Sequence, residues 1–446
     1  MSVKINYFSN ISALALLSCS VSAAPPYFNS SEVLSDGLWD RETKGDIIGG
    51  GDGNTGNLVL KGSSTYANPF SIGLNGGNGS LTISESAKNI NSTTYFAVGT
   101  VDTDHNYTSN THGALNLVGP QTGIITSLGL HVGSSGIYDW NNKRDSKITG
   151  TLNIQDGAIM NVGEEKLYSR NRAYVGFGNT SNTGILNISG SGSSLIIKSN
   201  TPHFGDFVEN GTLYLGYIGK GIVNITDGGE LYAGRLSAST TFVGDDSIER
   251  PPSAEITISG NGSRLVIGSQ MSLASDALDN LEVIDDIVKL KGAGSAVLTV
   301  DNNAEVIFES KANTDTDGFE NPVSGLFLAS SNDTSATVNL NKNGFISISN
   351  SKLSPDEDAI IAGSGSYSFN LNGGTLRVNE CDYCDYKLST RVDMNVLSES
   401  VLESGSNQEM HLNGSLKGTG GIVKSGDGLV ALSGLNGYSV GTRVEA

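Results

Sequence analysis

The chain has 446 residues and a formal net charge of −19, and only 16% of its residues are charged. Its acidic surface repels phosphate groups, which argues against a nucleic-acid partner. A hydrophobic content of 37%, with 58 glycines and 9 prolines, argues against both a disordered chain and ordinary compact domains. Because the apolar residues come in short regular bursts, we expect many short strands joined by tight turns.

Residues 1–23 have the features of an export signal. Lys4 provides a positive charge, residues 11–17 form a short apolar stretch, and residues 21–23 are small residues suited to a cleavage site. The apolar stretch is far shorter than the roughly 20 residues of a membrane-spanning helix. We therefore expect an exported protein, found at the cell surface, in the medium or in the periplasm. Leu17 and Ser18 before Cys19 leave a lipoprotein signal as the alternative.

The strongest signal in the sequence is an internal repeat. Each copy contains a short strand in which apolar and polar residues alternate, followed by glycine-rich turns. The first residues of these strands are Leu81, Leu115, Leu152, Leu186, Val223, Ile256, Leu298, Val338 and Phe369. The consecutive spacings are 34, 37, 34, 37, 33, 42, 40 and 31 residues. A loose period of this kind indicates a repeat protein with insertions in its loops.

The alternation predicts which side chains of each strand point inward. Leu186 and Ile188 share one side of their strand, and Asn187 lies on the other side. A single copy cannot bury its own apolar side, but stacked copies bury it in a continuous column and align the asparagines for an amide ladder. The pattern predicts an all-β fold, a parallel β-helix. We expect an N-terminal cap or irregular segment in residues 24–55, β-helical repeats in 56–380 and a C-terminal β-helix in 381–446.

One stretch departs from the strand pattern, because its apolar residues recur at helical spacing with acidic residues between them. The apolar residues are Leu273, Ala277, Leu281, Ile284 and Val288. Ser272 or Ser275 suits the N-cap position of such a helix. We therefore expect a short helical excursion near residues 272–290. It either covers the side of the solenoid as a loop or acts as a lid.

Two cysteines lie beyond the signal peptide, Cys381 and Cys384, three residues apart. Export exposes them to an oxidising compartment, so we expect a small disulfide loop. A thioredoxin-like site would need a βαβ setting, and a structural zinc site would need two more ligands nearby. The sequence offers neither of these.

Two groups of motifs resemble known exported proteins. Residues 213–216 (Leu-Tyr-Leu-Gly) and 186–193 (Leu-Asn-Ile-Ser-Gly-Ser-Gly-Ser) are similar to a repeat that is common in type V secreted passengers. Residues 414–444 closely resemble the passenger-associated transport repeat of autotransporters, and depart from it at Val440, where a second glycine is usual. Together the resemblance covers about residues 56–446.

The resemblance implies a right-handed β-helical passenger that a C-terminal barrel carries across the outer membrane of a Gram-negative bacterium. Such a barrel needs many strands of about 9 to 11 residues each. None follows Ala446, so we expect a truncated product, a fragment, or a passenger whose translocator barrel is encoded separately.

Three patterns suggest chemistry, and each has a simpler explanation. Residues 437–441 match G-x-S-x-G, but a hydrolase elbow requires a strand, a sharp turn and a helix, with Asp and His following. Residues 50–54 (Gly-Gly-Asp-Gly-Asn) are similar to calcium-binding nonapeptides, which act as tandem arrays, whereas this copy is alone. The five histidines show no metal-ligand spacing; they are His105, His112, His131, His203 and His411. We therefore predict no catalytic, cofactor-binding or metal-binding residues.

Two functional classes remain. The first is a non-enzymatic surface module, an adhesin or aggregation factor whose partners are surface glycans or proteins, because a long solenoid offers a repetitive surface for weak multivalent contacts. The second is a β-helical polysaccharide lyase or hydrolase, which needs acidic pairs or basic clusters on one face. The outward positions of the repeats carry Asn, Thr and Ser instead, so we favour the first class.

Overall fold

The computed structural model describes residues 27–35, 47–62, 71–85, 90–92, 95–101, 110–120, 122–126, 129–135, 147–163, 172–178, 181–198, 211–239, 251–274, 294–310, 325–352, 355–382 and 384–445. Within these ranges the strands are β1 Tyr27–Phe28, β2 Ser31–Ser35, β3 Ile47–Gly50, β4 Thr55–Lys61, β5 Ser71–Leu74, β6 Asn78–Ser84, β7 Ile90–Ser92, β8 Tyr95–Val101, β9 Thr111–Val118, β10 Gly123–Thr126, β11 Gly129–Ser135, β12 Ile148–Gln155, β13 Ile159–Val162, β14 Arg172–Phe177, β15 Thr183–Ser189, β16 Ser194–Ile197, β17 Thr212–Leu215, β18 Lys220–Thr226, β19 Glu230–Ala238, β20 Ser253–Ser259, β21 Arg264–Leu273, β22 Ser295–Asp301, β23 Glu305–Phe308, β24 Gly325–Leu328, β25 Ser335–Asn341, β26 Phe345–Ile348, β27 Ile360–Ala362, β28 Ser366–Asn372, β29 Thr375–Val378, β30 Lys387–Thr390, β31 Met394–Val396, β32 Ser400–Glu403, β33 Glu409–Leu412, β34 Leu416–Gly418, β35 Gly421–Ser425, β36 Leu429–Leu432, β37 Gly437–Tyr438 and β38 Gly441–Val444. None of the described residues belongs to a helix that is long and apolar enough to cross a membrane.

The strands stack into three parallel ladders, which we call faces 1, 2 and 3. Face 1 consists of β2, β4, β6, β9, β12, β15, β18, β20, β22, β25, β28, β31, β34 and β37. Face 2 consists of β7, β10, β13, β16, the first halves of β19 and β21, β23, β26, β29, β32, β35 and β38. Face 3 consists of β1, β3, β5, β8, β11, β14, β17, the second halves of β19 and β21, β24, β27, β30, β33 and β36.

Each turn of the chain through the faces forms one rung, and the strands of successive rungs pair in parallel. This is a parallel β-helix, as the repeat predicts. The nine strands predicted from the repeat all lie in face 1 and pair in the predicted register, for example Leu152 with Leu186 and Leu186 with Val223. β19 and β21 run continuously from face 2 to face 3, with a register shift between Ala233 and Arg235.

The core is a column of apolar side chains that runs along the solenoid. Leu186 and Ile188 are fully buried, and so are their register partners in the adjacent rungs, which confirms the predicted inward positions. Because neighbouring strands are about 4.8 Å apart, each inward side chain contacts the equivalent residue above and below. The rungs become shorter toward the C-terminus, where the face 1 partners Met394 and Leu416 are only 22 residues apart.

The corner between faces 3 and 1 is closed by paired glycines. Gly176 has a φ of 75°, and a Cβ there would lie 2.0 Å from the carbonyl oxygen of Lys220. A Cβ on Gly184 would lie 2.3 Å from the amide nitrogen of Gly176. The same arrangement recurs at Gly49 and Gly56, Gly73 and Gly79, Gly99 and Gly113, Gly133 and Gly150, and Gly216 and Gly221. Backbones that approach so closely leave no room for a side chain.

The predicted helix near residues 272–290 meets the described structure only at its start. Ser272 and Leu273 are the last residues of β21, so the prediction that a helix includes them is wrong. Leu273 points into the core of face 3, where it pairs with Ala238 and Leu328 and is fully buried. Residues 275–293 lie outside the described ranges, as do the predicted signal peptide and the cysteine within it.

Candidate functional site

The outer surface of face 1 carries a ladder of asparagine side chains. Each asparagine amide donates a hydrogen bond to the residue one rung earlier. The bonds run from Asn116 to Thr82 at 3.2 Å, from Asn153 to Asn116 at 2.7 Å, from Asn187 to Asn153 at 2.8 Å and from Asn224 to Asn187 at 2.9 Å. A second ladder runs from Asn395 to Asn370 at 2.9 Å, from Asn370 to Asn339 at 2.9 Å and from Asn339 to Thr299 at 3.4 Å. These bonds confirm the amide ladder that the repeat predicts.

The ladder leaves hydrogen-bonding capacity at the surface. A side-chain amide has two N–H donors and two carbonyl lone pairs. Within the ladder Asn153 and Asn187 each use one donor and one lone pair on their neighbours. Because these side chains are half-buried and point away from the core, the remaining donor and lone pair of each amide face outward. Face 1 therefore presents a row of donors and acceptors at the spacing of the strands.

A shallow groove crosses the N-terminal part of face 1 beside the asparagine ladder. Its volume is about 270 Å³. It is lined by Thr55, Gly56, Asn57, Asn78, Gly79, Ser80, His112, Gly113, Ala114, Thr149 and Thr151. The polar residues belong to the outward positions of β4, β6, β9 and β12, which pair in register. Its lining holds hydroxyl and amide groups, the imidazole of His112 and no carboxylate, and most of the surface that it exposes is apolar.

Face 3 carries an aromatic cluster that the sequence analysis did not identify. The rings of Tyr174 and Tyr214 stack at 5.1 Å with an interplanar angle of 11°. Phe177 and Tyr217 stack at 5.0 Å, and His131 lies 4.9 Å from Tyr174. His131, Tyr174 and Tyr214 occupy the same outward position of β11, β14 and β17. Alignment of the repeats at this position is the signal that would have found the cluster.

His131 is held neutral in this cluster. Burial against the aromatic rings lowers the pKa of His131 from 6.5 to about 4. Its Nδ1 lies 3.1 Å from the hydroxyl of Ser134. The environment is that of a packed aromatic side chain, because the neighbouring rings remove solvent from the imidazole.

The other histidines are not brought together. His112 is exposed at the groove of face 1. His411 lies on face 3, with its Nε2 2.8 Å from a carboxylate oxygen of Glu409. His105 and His203 lie outside the described ranges. Among the residues that the structure describes, no group of three or more His, Cys, Asp or Glu side chains is arranged to hold a metal ion.

Cys381 and Cys384 lie at the corner between β29 and β30, where the structure joins them by a disulfide with the Cα atoms 5.0 Å apart. Cys384 is fully buried, and its amide donates to the carbonyl of Cys381 at 3.1 Å. The loop packs on a polar corner in which the buried Asn350 amide donates to Ser389 Oγ and accepts from the Ser389 amide, both at 2.9 Å. The loop is therefore anchored to the preceding rungs.

The two remaining sequence patterns lie in turns of the solenoid. Ser439, in the G-x-S-x-G pattern, separates β37 and β38, and its hydroxyl donates to the carbonyl of Thr419 at 3.1 Å. The turn at residues 50–54 is closed by a bond from the N–H of Asn54 to the carbonyl of Gly51 at 3.1 Å, and the N–H groups of Gly51 and Gly53 donate to Leu74 and Gly76 of the next rung, both at 3.0 Å. Residues 50–54 join β3 on face 3 to β4 on face 1, and residues 437–441 join β37 on face 1 to β38 on face 2.

One charged cluster occupies the outer side of face 2. Arg377 forms an ion pair with Glu305, and its Nε donates to the hydroxyl of Ser347 at 2.5 Å. The same hydroxyl donates to Glu305 at 2.6 Å, and the guanidinium lies 5.2 Å from the ring centre of Phe345. The positive charge of Arg377 and the negative charge of Glu305 therefore neutralise each other.

No protein-family model matches the chain, and no curated protein matches it. The crystal structure of a TibC-catalysed, hyper-glycosylated fragment of TibA is similar over 93% of this chain and 97% of that chain. The identity is 12% and the TM-score is 0.24, which is too low to support an argument about function.

Proposed function

We propose that the chain is an exported surface passenger of the autotransporter type, a non-enzymatic adhesin-like or aggregation module that acts through face 1. The observation that carries the proposal is the outward asparagine ladder, with Asn116, Asn153, Asn187 and Asn224 in one register. Export is supported by the signal-like residues 1–23, and the passenger class by the resemblance of residues 414–444 to the transport repeat.

The ladder suits weak contacts made many times. Each amide of the ladder offers one donor and one acceptor to a partner, which is a small contribution on its own. Repetition along a rigid solenoid multiplies these contacts, because the second contact is made at a high effective concentration once the first is formed. Hydroxyl-rich glycans and the polar edges of other proteins are the partners that such a surface fits.

Adhesion of protein-coated beads tests the proposal. Beads coated with the exported chain are expected to cluster or to bind glycan-coated or cell-coated surfaces, and the double variant Asn187→Lys, Asn224→Lys to lose most of that adhesion. Asn261→Lys is the matched control, because Asn261 is exposed in a turn away from the ladder. Equal adhesion by the two variants would count against face 1 as the adhesive surface.

The alternative function is that of a polysaccharide lyase or hydrolase. Its support is the pair of Glu305 and Arg377 on face 2. The test is incubation with uronate-containing and neutral polysaccharides, followed by assays for unsaturated products and for new reducing ends. Cleavage that is lost in Glu305→Gln would favour the enzyme over the adhesive module.

A further inference from the structure

The groove at the N-terminal part of face 1 lies along two rows of outward side chains. The first row consists of Thr55, Asn78, His112 and Thr149, and the second row of Asn57, Ser80, Ala114 and Thr151. Three glycines lie between the rows and complete the lining, Gly56, Gly79 and Gly113. The groove therefore runs along the solenoid from β4 to β12, over three strand spacings or roughly 14 Å at about 4.8 Å per strand.

The second row is lowest in the middle of the groove. Ser80 and Ala114 have the shortest side chains of this row, and both are half-buried. Beyond Thr151 the same row continues through Ile185 and Ile222, whose larger side chains also point outward. The row therefore rises toward the C-terminal side, which limits the groove in that direction.

The groove combines apolar surface with polar groups at its borders. Most of the exposed surface is apolar, and its apolar groups are chiefly the methyl groups of the threonines and of Ala114 and the Cα groups of the glycines. The side chains of Asn57, Asn78 and Thr149 stand beside this surface, and within the described residues they form no hydrogen bond with the rest of the solenoid. An apolar lining with a few polar groups that fix orientation is typical of a ligand site.

The lining carries no carboxylate, ammonium or guanidinium group, and the imidazole of His112 is its one titratable group. The chain as a whole has a net charge of −19. An acidic polymer is repelled by that charge and finds no ammonium or guanidinium group in the groove, whereas a basic polymer finds no carboxylate to pair with. The groove therefore favours an uncharged ligand.

A sugar ring matches this combination of surfaces. A pyranose with equatorial hydroxyls has apolar C–H groups on its flat sides and hydroxyls around its edge. When the flat side lies on Ala114, the edge hydroxyls point toward the two rows and reach amide groups such as that of Asn78. The groove volume of about 270 Å³ is below the roughly 300 to 1,000 Å³ of pockets that enclose a whole small molecule. An open groove of this size suits a chain that passes through it.

We propose that the groove binds an uncharged β-linked glycan, which lies along the solenoid with one ring on Ala114 and the next rings on the neighbouring rungs. This site rests on the proposed function, because it specifies the class of glycan that face 1 takes up. The two sites use different residues, since Asn187 and Asn224 of the asparagine ladder do not line the groove. The double variant Asn187→Lys, Asn224→Lys is therefore expected to lose adhesion and to keep glycan binding. Beads that still adhere while the glycan fails to bind would overturn the glycan site and leave the adhesive surface standing.

Ligand-observed NMR titration of the full chain with cellotetraose, four β-linked glucose rings, tests the proposal. Cellotetraose is expected to bind saturably, and the β-linked tetramer of glucuronate, which adds a carboxylate to each ring, at least about tenfold more weakly. Maltotetraose, whose α-linkages curve the chain away from a straight row of strands, is expected to bind more weakly as well. Absence of saturable cellotetraose binding, or equal binding of the glucuronate tetramer, would overturn the proposal. Saturable binding of an uncharged serine–threonine tetrapeptide in place of cellotetraose would assign the groove to a protein partner and would also overturn it.

The variant Ala114→Ile locates the ligand. It places in the groove the residue that the same row already carries as Ile185 and Ile222, so the strand accommodates it while the larger side chain fills the lowest part of the groove. Cellotetraose is expected to bind at least about tenfold more weakly, the effect of a change of one methylene or more in a fitted pocket. Thr337→Ile, at an outward position of the same row outside the groove, is the matched control that leaves binding unchanged. Both variants are expected to keep the β-type circular dichroism spectrum of the wild type. Full binding by Ala114→Ile, or an equal loss in Thr337→Ile, would refute the site.

Discussion

The hydroxyl of Ser193 accepts a hydrogen bond of 2.9 Å from the backbone N–H of Gly157, one rung earlier in the solenoid. The same hydroxyl donates to the carbonyl of Ser189 at 2.7 Å, so it joins its own turn to the preceding one. Ser263 repeats both bonds, with Gly228 at 3.0 Å and Ser259 at 2.8 Å. The serine of the Gly-x-Gly-Ser turn is therefore a structural link between rungs.

Ser193→Ala is expected to destabilise the rung by about 1 to 3 kcal/mol, because it removes both the hydrogen bond from the half-buried N–H of Gly157 and the hydrogen bond to the carbonyl of Ser189. Urea unfolding followed by circular dichroism measures the loss. Ser191→Ala, at an exposed position of the same turn, is the matched control and is expected to change little. Equal effects of the two substitutions would contradict the assigned role of Ser193.

Leu186→Ala is expected to cost on the order of 2 to 5 kcal/mol, since it opens a cavity in the fully buried column. Because a solenoid is stabilised mainly by neighbouring rungs, the damage should be local. In Leu186→Asp, limited proteolysis is expected to cut between residues 170 and 225 while residues 380–446 stay protected. The control is Ile185→Ala, on the outer side of the same strand. Uniform loss of protection would indicate a single cooperative core.

Gly176→Ala is expected to disrupt the corner between faces 3 and 1, because the new Cβ would lie 2.0 Å from the carbonyl oxygen of Lys220. Gly192→Ala is the matched control: its φ of 82° is also positive, but the nearest atom to its Cβ is 3.6 Å away. The control carries only the strain of a positive φ, about 1 kcal/mol. Thermal unfolding of the two variants separates steric clash from backbone strain, and equal transition temperatures would argue against the close approach.

The free energy of unfolding is expected to fall as the pH is lowered from 6.5 to about 4, because burial disfavours the protonated form of His131 in the folded state. Its folded pKa of about 4 lies below the unfolded value of 6.5, so the folded state binds the proton less readily. The stabilisation is present above pH 6.5, is lost progressively as the pH falls toward 4, and amounts to no more than about 3 kcal/mol.

Urea midpoints of the wild type and of His131→Gln, measured between pH 7 and pH 4, test this dependence. The variant should lose less stability over that range than the wild type. His112→Gln, at an exposed histidine, should follow the wild-type curve. A wild-type curve without any fall above pH 4 would contradict the pKa assigned to His131.

Thiol titration of fresh periplasmic protein is expected to find no free thiol at Cys381 and Cys384. The double variant Cys381→Ser, Cys384→Ser should change global stability little, because a loop closed over three residues restricts the unfolded chain only slightly. Two reactive thiols per chain would refute the disulfide. A large loss of stability in the double variant would show instead that the corner depends on the bond.

The sequence predicts face 1 well because period-two alternation specifies both the direction and the register of its strands. Leu186 and its partners in the neighbouring rungs could be aligned from the repeat alone, and so could the asparagines beside them. The contact between Arg235 and Gln270 on face 3 could not be predicted in this way. The two side chains come together only because β19 and β21 run on from face 2 to face 3, and no local pattern specifies that continuation.

The asparagine ladder also gives the solenoid an electrical direction. Every amide of the ladder donates toward the N-terminal end, so the side-chain dipoles of Asn116, Asn153, Asn187 and Asn224 add head to tail. The sum resembles the macrodipole of an α-helix, with its positive pole toward Thr82 and its negative pole at the carbonyl of Asn224. β-Sheets have only small net dipoles, so this outer row supplies a polarity that the backbone lacks. A ligand with unlike charges at its two ends would therefore settle along face 1 in one orientation rather than its reverse.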